Sequence, residues 1–92
     1  MKIEFDPNKS VKNARERGLS FELVEFFDWE TCQTQDDVRH AYPERRRVSV
    51  GFLRGRLHVV CHTPIDGGLR VISFRKANRR EIRRYEEKKA AH

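Results

Sequence analysis

The chain has few apolar residues, few cysteines and no long hydrophobic run. Hydrophobic types make up 37% of its 92 residues and the mean hydropathy is −0.85. No segment approaches the roughly 20 apolar residues of a membrane-spanning helix, and the opening Met1-Lys2-Ile3-Glu4-Phe5 lacks the apolar centre of a secretory signal. Two cysteines, Cys32 and Cys61, build neither a disulfide framework nor a four-cysteine metal site. Neither a Gly-rich phosphate loop nor a G-x-S-x-G elbow is present; Gly51, Gly55, Gly67 and Gly68 fit turns and a strand. These absences argue for a cytoplasmic protein with reduced thiols and against membrane anchoring, secretion and structural zinc. At 11.0 kDa, residues 1–92 make one domain. A domain this small buries about two-thirds of its unfolded surface and is marginal without a partner.

Charge is what the sequence has in excess, and it is unevenly placed. Met1–Glu44 carries 6 Lys+Arg against 10 Asp+Glu, net −4, whereas Arg45–His92 carries 14 against 4, net +10. A basic half of that density attracts polyanions, nucleic acid first. Mutual neutralisation of the two halves inside one fold explains the asymmetry but leaves the overall +6.

The pattern predicts β-α-α-β-β-β-α, an α+β fold with an antiparallel sheet and its helices on one face. Alternation over residues 1–5 suits a strand with Ile3 and Phe5 inward. Asp6-Pro7 is a helix start and Gly18 its stop. Ser20 opens a second helix on which Phe21, Leu23, Val24 and Phe27 share a side. Residues 28–46 show no periodicity, which in a small domain marks a functional or partly disordered loop. Strands 47–53 and 56–63 flank the Arg54-Gly55 turn, and a looser turn leads to strand 69–75. Asn78 and Glu81 form a capping box for the last helix.

Symmetric pairing about both turns sorts the strands into two faces. Val48, Val50, Phe52, Leu57, Val59, Cys61, Ile72 and Phe74 form a core face for the first two helices to cover. The opposite face collects Ser49, His58, His62, Arg47, Arg56 and Arg75, with no carboxylate. That pairing sets Arg56 opposite Arg75, unfavourable unless a phosphate sits between them. A merely solvated sheet face is the alternative. On the last helix Arg79, Arg80, Arg83 and Arg84 fall within an arc of roughly 140°, while Ile82 and Tyr85 dock the other side. Arginine suits bidentate phosphate contacts; an acidic protein partner would fit such a helix too. His58 and His62, about 13 Å apart along a strand, are too distant to share a metal, so no metal or other cofactor is expected.

Several motifs in order resemble the BrnT family of ribonuclease toxins: Phe5-Asp6-Pro7-Asn8-Lys9, Asn13, Arg17-Gly18, Ser20-Phe21-Glu22, His40 with Glu44-Arg45-Arg46, Gly55-Arg56-Leu57, and His62-Thr63. The run Leu69-Arg70-Val71-Ile72-Ser73-Phe74-Arg75-Lys76-Ala77-Asn78-Arg79-Arg80-Glu81, ending in Tyr85-Glu86, is similar to the family's strand-to-helix signature. Together these cover about residues 3 to 87. The resemblance implies a small RelE-like fold and RNA cleavage that inhibits translation. It also implies a cognate BrnA-type ribbon-helix-helix antitoxin, through which alone operator DNA would be bound. Arg45 stands where the family often has a second glutamate, leaving Glu44 as that cluster's carboxylate.

Metal-independent RNA cleavage requires deprotonation of the 2′-OH, neutralisation of the phosphorane and protonation of the leaving oxygen. The expected assignment gives neutralisation to Arg56 and Arg75, proton transfer to His62 with Glu44 as the alternative base, and flanking phosphates to Arg46, Lys76, Arg79 and Arg80. His58 ranks below His62. A non-catalytic nucleic-acid binder and a protein-interaction module explain the basic half equally well, and RNA cleavage in the presence of EDTA separates them from a nuclease.

Overall fold

The computed structural model describes residues 1–91 and arranges them as β1 (Lys2–Glu4), α1 (Pro7–Arg17), a 3₁₀ helix (Phe21–Phe26), β2 (Gln33–Asp36), β3 (Arg47–Leu53), β4 (Arg56–Ile65), β5 (Gly68–Lys76) and α2 (Arg79–Ala90). The α+β class is as expected. The sheet, however, has five strands in the order β1-β5-β4-β3-β2 and is mixed, because β1 runs parallel to β5 while the other pairs are antiparallel.

The helix ends follow their local chemistry. The Asp6 carboxylate accepts the Asn8 N–H at 2.9 Å with Pro7 in the first turn, and Gly18 closes α1. Asn78 and Glu81 make the reciprocal capping box of α2. Ser20 makes no side-chain cap, and its segment winds as a 3₁₀ helix. The Ser10 hydroxyl instead accepts the Phe21 N–H, while the Asn13 amide donates to the carbonyls of Leu19 and Phe74, pinning α1 to β5.

Helices cover both faces of the sheet, which corrects the expectation of one. The 3₁₀ helix and its flanks bring Leu19, Phe21, Val24 and Phe27 onto Leu53, Val60, Leu69, Val71 and Phe74, with Ile3, Phe5 and Trp29 at the margin. Across the sheet, Tyr85 and Ile82 of α2 pack on Leu57, Val59, Val48, Val50 and Phe52. Of the strand residues expected under the first two helices, only Phe74 lies there; Val48, Val50, Phe52, Leu57 and Val59 lie under α2 instead. The face expected to be open, carrying Ser49, His58, Val60 and His62, is the main core.

Most of the polar atoms in that core find partners inside it, His62 Nδ1 being buried without one. Ser49 Oγ lies 2.8 Å from His62 Nε2 and 2.7 Å from Thr34 Oγ1. His58 Nδ1 is 2.7 Å from the Arg56 carbonyl. The His62 ring meets Trp29 edge-on at 5.3 Å, and His58 tilts against Phe74 at 5.5 Å. Gly51 makes room for the Phe27 ring, which would stand 2.7 Å from a Cβ at that position.

The β3–β4 register is the symmetric one, Leu53 opposite Arg56 through Arg47 opposite His62. The β4–β5 register is not. The turn is only Asp66-Gly67, pairing Ile65 with Gly68, and a bulge between Cys61 and His62 leaves Ile72 without a partner. Together these set Arg75 opposite Val59 rather than Arg56. Since directly opposed residues share a face and alternate residues swap faces, the bulge carries Ser73 and Arg75 to the α2 side and Phe74 into the main core.

Residues 28–46 are more ordered than their lack of periodicity suggests. Gln33–Asp36 adds an edge strand to β3. Beyond it the Asp37 N–H donates to the Arg46 carbonyl at 2.8 Å, closing a loop whose end is tied to β4 by the Thr63 hydroxyl on the Arg45 carbonyl.

Candidate anion-binding cleft

A cleft of about 560 Å³ opens on the α2 side of the sheet. Its floor is Val48, Val59, Cys61, Ile72 and Ser73; the 37–46 loop forms one wall and the first turns of α2 the other. Four guanidiniums, those of Arg39, Arg46, Arg75 and Arg84, line it, with the carboxylates of Asp36, Asp37 and Glu81 between them.

Asp37 organises the loop wall. Its side chain is 1% exposed, accepts two bonds from Arg39 at 2.9 Å and one from the Tyr42 hydroxyl at 3.1 Å. The Arg39 bonds hold that carboxyl well below the usual range and push the Arg39 guanidinium up. Tyr42 in turn carries the Arg46 guanidinium 4.0 Å above its ring centroid, a cation–π contact that orients the charge without spending its N–H donors. Arg46 Nε is buried and makes no hydrogen bond; Glu44 Oε1 approaches to 3.4 Å, close enough for attraction but not aligned to accept. A buried charged donor without a hydrogen bond is costly, and the Glu44 carboxylate is the group that offsets its charge.

The opposite wall holds Arg75, whose Nη1 and Nη2 donate to the two Glu81 oxygens at 2.8 Å. Those bonds raise the Arg75 guanidinium and lower the Glu81 carboxyl from their ordinary values. Among the described residues Arg84 makes no ion pair within 4 Å. On the floor, burial pushes the Cys61 thiol up, away from the thiolate that a nucleophile requires.

The structure brings Arg46 and Arg75 to one cleft, with Glu44 beside Arg46 in an adjoining hollow of about 310 Å³ that His40 also lines. It does not bring Arg56 to Arg75. Arg56 sits at the hairpin end and its Nη2 donates to the Ala77 carbonyl at 2.9 Å, so the expected convergence of the two arginines is corrected by the register. His62 is 5% exposed, and burial holds its imidazole down to about 4. Its 2.8 Å contact with Ser49 has the spacing of a nucleophile–base pair, but Ser49 is fully buried and no substrate atom reaches it. Lys76, Arg79 and Arg80 are exposed but do not line the cleft. Among the described residues no group of three or more His, Cys, Asp or Glu side chains is placed to hold a metal ion, and no helix is long and apolar enough to cross a membrane.

Sequence reasoning missed Arg39, Asp37 and Tyr42, which lie in a stretch without periodicity, and saw Glu81 only as a cap. The i, i+2 spacing of Asp37 and Arg39 was the only local signal available. No curated protein matches the chain. A family model described as the ribonuclease toxin BrnT of type II toxin–antitoxin systems matches residues 5–81 of the 92. The chain belongs to that family.

Proposed function

We propose that the chain is a metal-independent endoribonuclease that binds a scissile phosphodiester in the cleft between the 37–46 loop and α2. The observation that carries this reading is the set of four guanidiniums, from two walls, that line one cleft. Arg75 and Arg46, on opposite walls, neutralise the phosphorane, a charge that develops only in the transition state. Glu44, 43% exposed beside Arg46, accepts the 2′-OH proton, and His40 in the same hollow supplies an imidazole for the leaving oxygen. Arg79, Arg80 and Lys76 hold flanking phosphates. Two arginines in the first turn of a helix oppose its dipole, a local cost that a bound phosphate reverses. Arg56 and His62 serve the fold in this scheme, the first through Ala77 and the second inside the core.

The resemblance supports the rest of the reading: a RelE-like ancestry, arrest of translation through RNA cleavage, and a BrnA-type ribbon-helix-helix antitoxin that silences the toxin by covering the cleft. The test is incubation of purified protein with RNA in EDTA. Cleavage is expected, and Arg75→Ala is expected to slow it on the order of a hundredfold with an unchanged circular dichroism spectrum. Binding without cleavage, or a parental rate for Arg75→Ala, overturns the reading.

A further inference from the structure

Arg75 reaches the cleft already held along one edge. Nη1 and Nη2 each donate to a Glu81 oxygen at 2.8 Å, and Nη1 also donates to the Lys76 carbonyl at 3.3 Å. A guanidinium has five N–H donors fixed in one plane. These bonds use both protons of Nη1 and one of Nη2. The Nε proton and the second Nη2 proton remain, side by side on another edge, spaced to grip two oxygens of one phosphate.

Glu81 is fixed as firmly as the group it holds. Its Oε1 accepts the Asn78 N–H at 2.9 Å, and its own N–H donates to Asn78 Oδ1 at 2.9 Å. One carboxylate therefore caps α2 and clamps an arginine six residues earlier on β5. Its side chain is 19% exposed, so water competes little for either bond.

We propose that Glu81 is a positioning residue: by fastening one edge of the Arg75 guanidinium to the first turn of α2, it presents the other edge to the scissile phosphate. The proposal rests on the ribonuclease reading of the same cleft. The competing role for a cleft carboxylate is proton transfer in its own right, and the two differ in how Glu81 couples to Arg75.

Steady-state RNA cleavage by the full chain, with Arg75→Ala, Glu81→Gln and the double variant, distinguishes them. Glutamine at this position still completes a capping box, so the helix keeps its start while the charged clamp is lost. Glu81→Gln is expected to lower kcat about ten- to a hundredfold with little change in KM and an unaltered acidic limb of the pH profile. The double variant is expected to be no slower than Arg75→Ala. Losses that multiply, a missing acidic limb, or full activity in Glu81→Gln overturn the proposal. Asn78→Ala breaks the cap but not the clamp; it is expected to lower Tm and retain kcat, and an equal loss of kcat there overturns the proposal as well. Should Glu81→Gln fail to fold, Arg75→Lys carries the test. Lysine keeps the charge but cannot be held on one edge while offering another, so a loss close to that of Arg75→Ala is expected and a parental rate overturns the clamp. A parental rate for Arg75→Ala itself sinks the ribonuclease reading of the cleft rather than the clamp alone.

Discussion

His62 brings two ring nitrogens to a place with one partner. Nε2 meets Ser49, Nδ1 is buried without a bond, and Trp29 covers the ring. Burial, helped by the Arg47 charge, keeps the imidazole neutral, with a pKa of about 4 against 6.5 when unfolded. Between those values the unfolded chain takes up a proton that the folded chain refuses, so stability falls as pH drops through the window. From pH 7.5 to 5 the loss is expected to be about 2 kcal/mol, read as a lower midpoint in urea, and His62→Phe is expected to flatten it. His58 is shifted the same way by burial and adds to the slope. Ser49→Ala removes the one partner His62 has. It is expected to cost about 1–3 kcal/mol at pH 7.5, with cleavage by the remaining folded protein unchanged, since neither residue borders the cleft. A loss of kcat without loss of stability would instead return His62 to the chemistry.

Glycine marks two close approaches between elements. A Cβ on Gly68 would stand 1.8 Å from the Lys2 carbonyl oxygen, backbone that cannot move aside while β1 stays paired. Gly68→Ala is expected to release β1, seen as fast amide exchange at Lys2–Glu4 and a lower Tm. Gly51→Ala meets the Phe27 ring and the Cys32 Cβ within 3 Å and is expected to cost about 1–3 kcal/mol by overpacking. Elements whose ends have their own chemistry were legible beforehand: Asp6-Pro7 and Gly18 bound α1, Asn78 and Glu81 start α2, and Arg54-Gly55 turns β3 into β4. β2 was not, because Gln33-Thr34-Gln35-Asp36 has no apolar residue to show a period, and its place comes from pairing with β3. The bulge at Ile72 was not either, since an extra residue in an apolar strand leaves no mark on composition. That single residue decides which face Arg75 occupies. So Arg46 and Arg75 could be picked as phosphate-binding types, while their meeting place could not.

The molecule as a whole brings charges that are separate in sequence together in the cleft. The acidic first half supplies Asp36 and Asp37 to the cleft, where Asp37 holds Arg39. The basic second half supplies Arg46, Arg75 and Arg84, and Glu81 holds Arg75. Pairing fixes Arg39 and Arg75 in place, and the net +6 remains to draw RNA in from solution. The two contributions have different signatures in salt. Binding through phosphate contacts releases counterions, so the logarithm of affinity falls linearly with the logarithm of salt concentration, with a slope near −0.7 per contact on single strands. Arg79 and Arg80 lie outside the cleft on the exposed turn of α2. Replacing both with alanine is expected to raise KM, flatten the salt slope by about 1.4 and leave kcat near parental. Arg75→Ala is expected to do the reverse, lowering kcat while changing the slope by no more than one contact. If the Arg79/Arg80 double variant loses kcat instead and keeps its slope, the phosphate grip lies in the cleft alone and the exposed arginines of α2 are part of the chemistry.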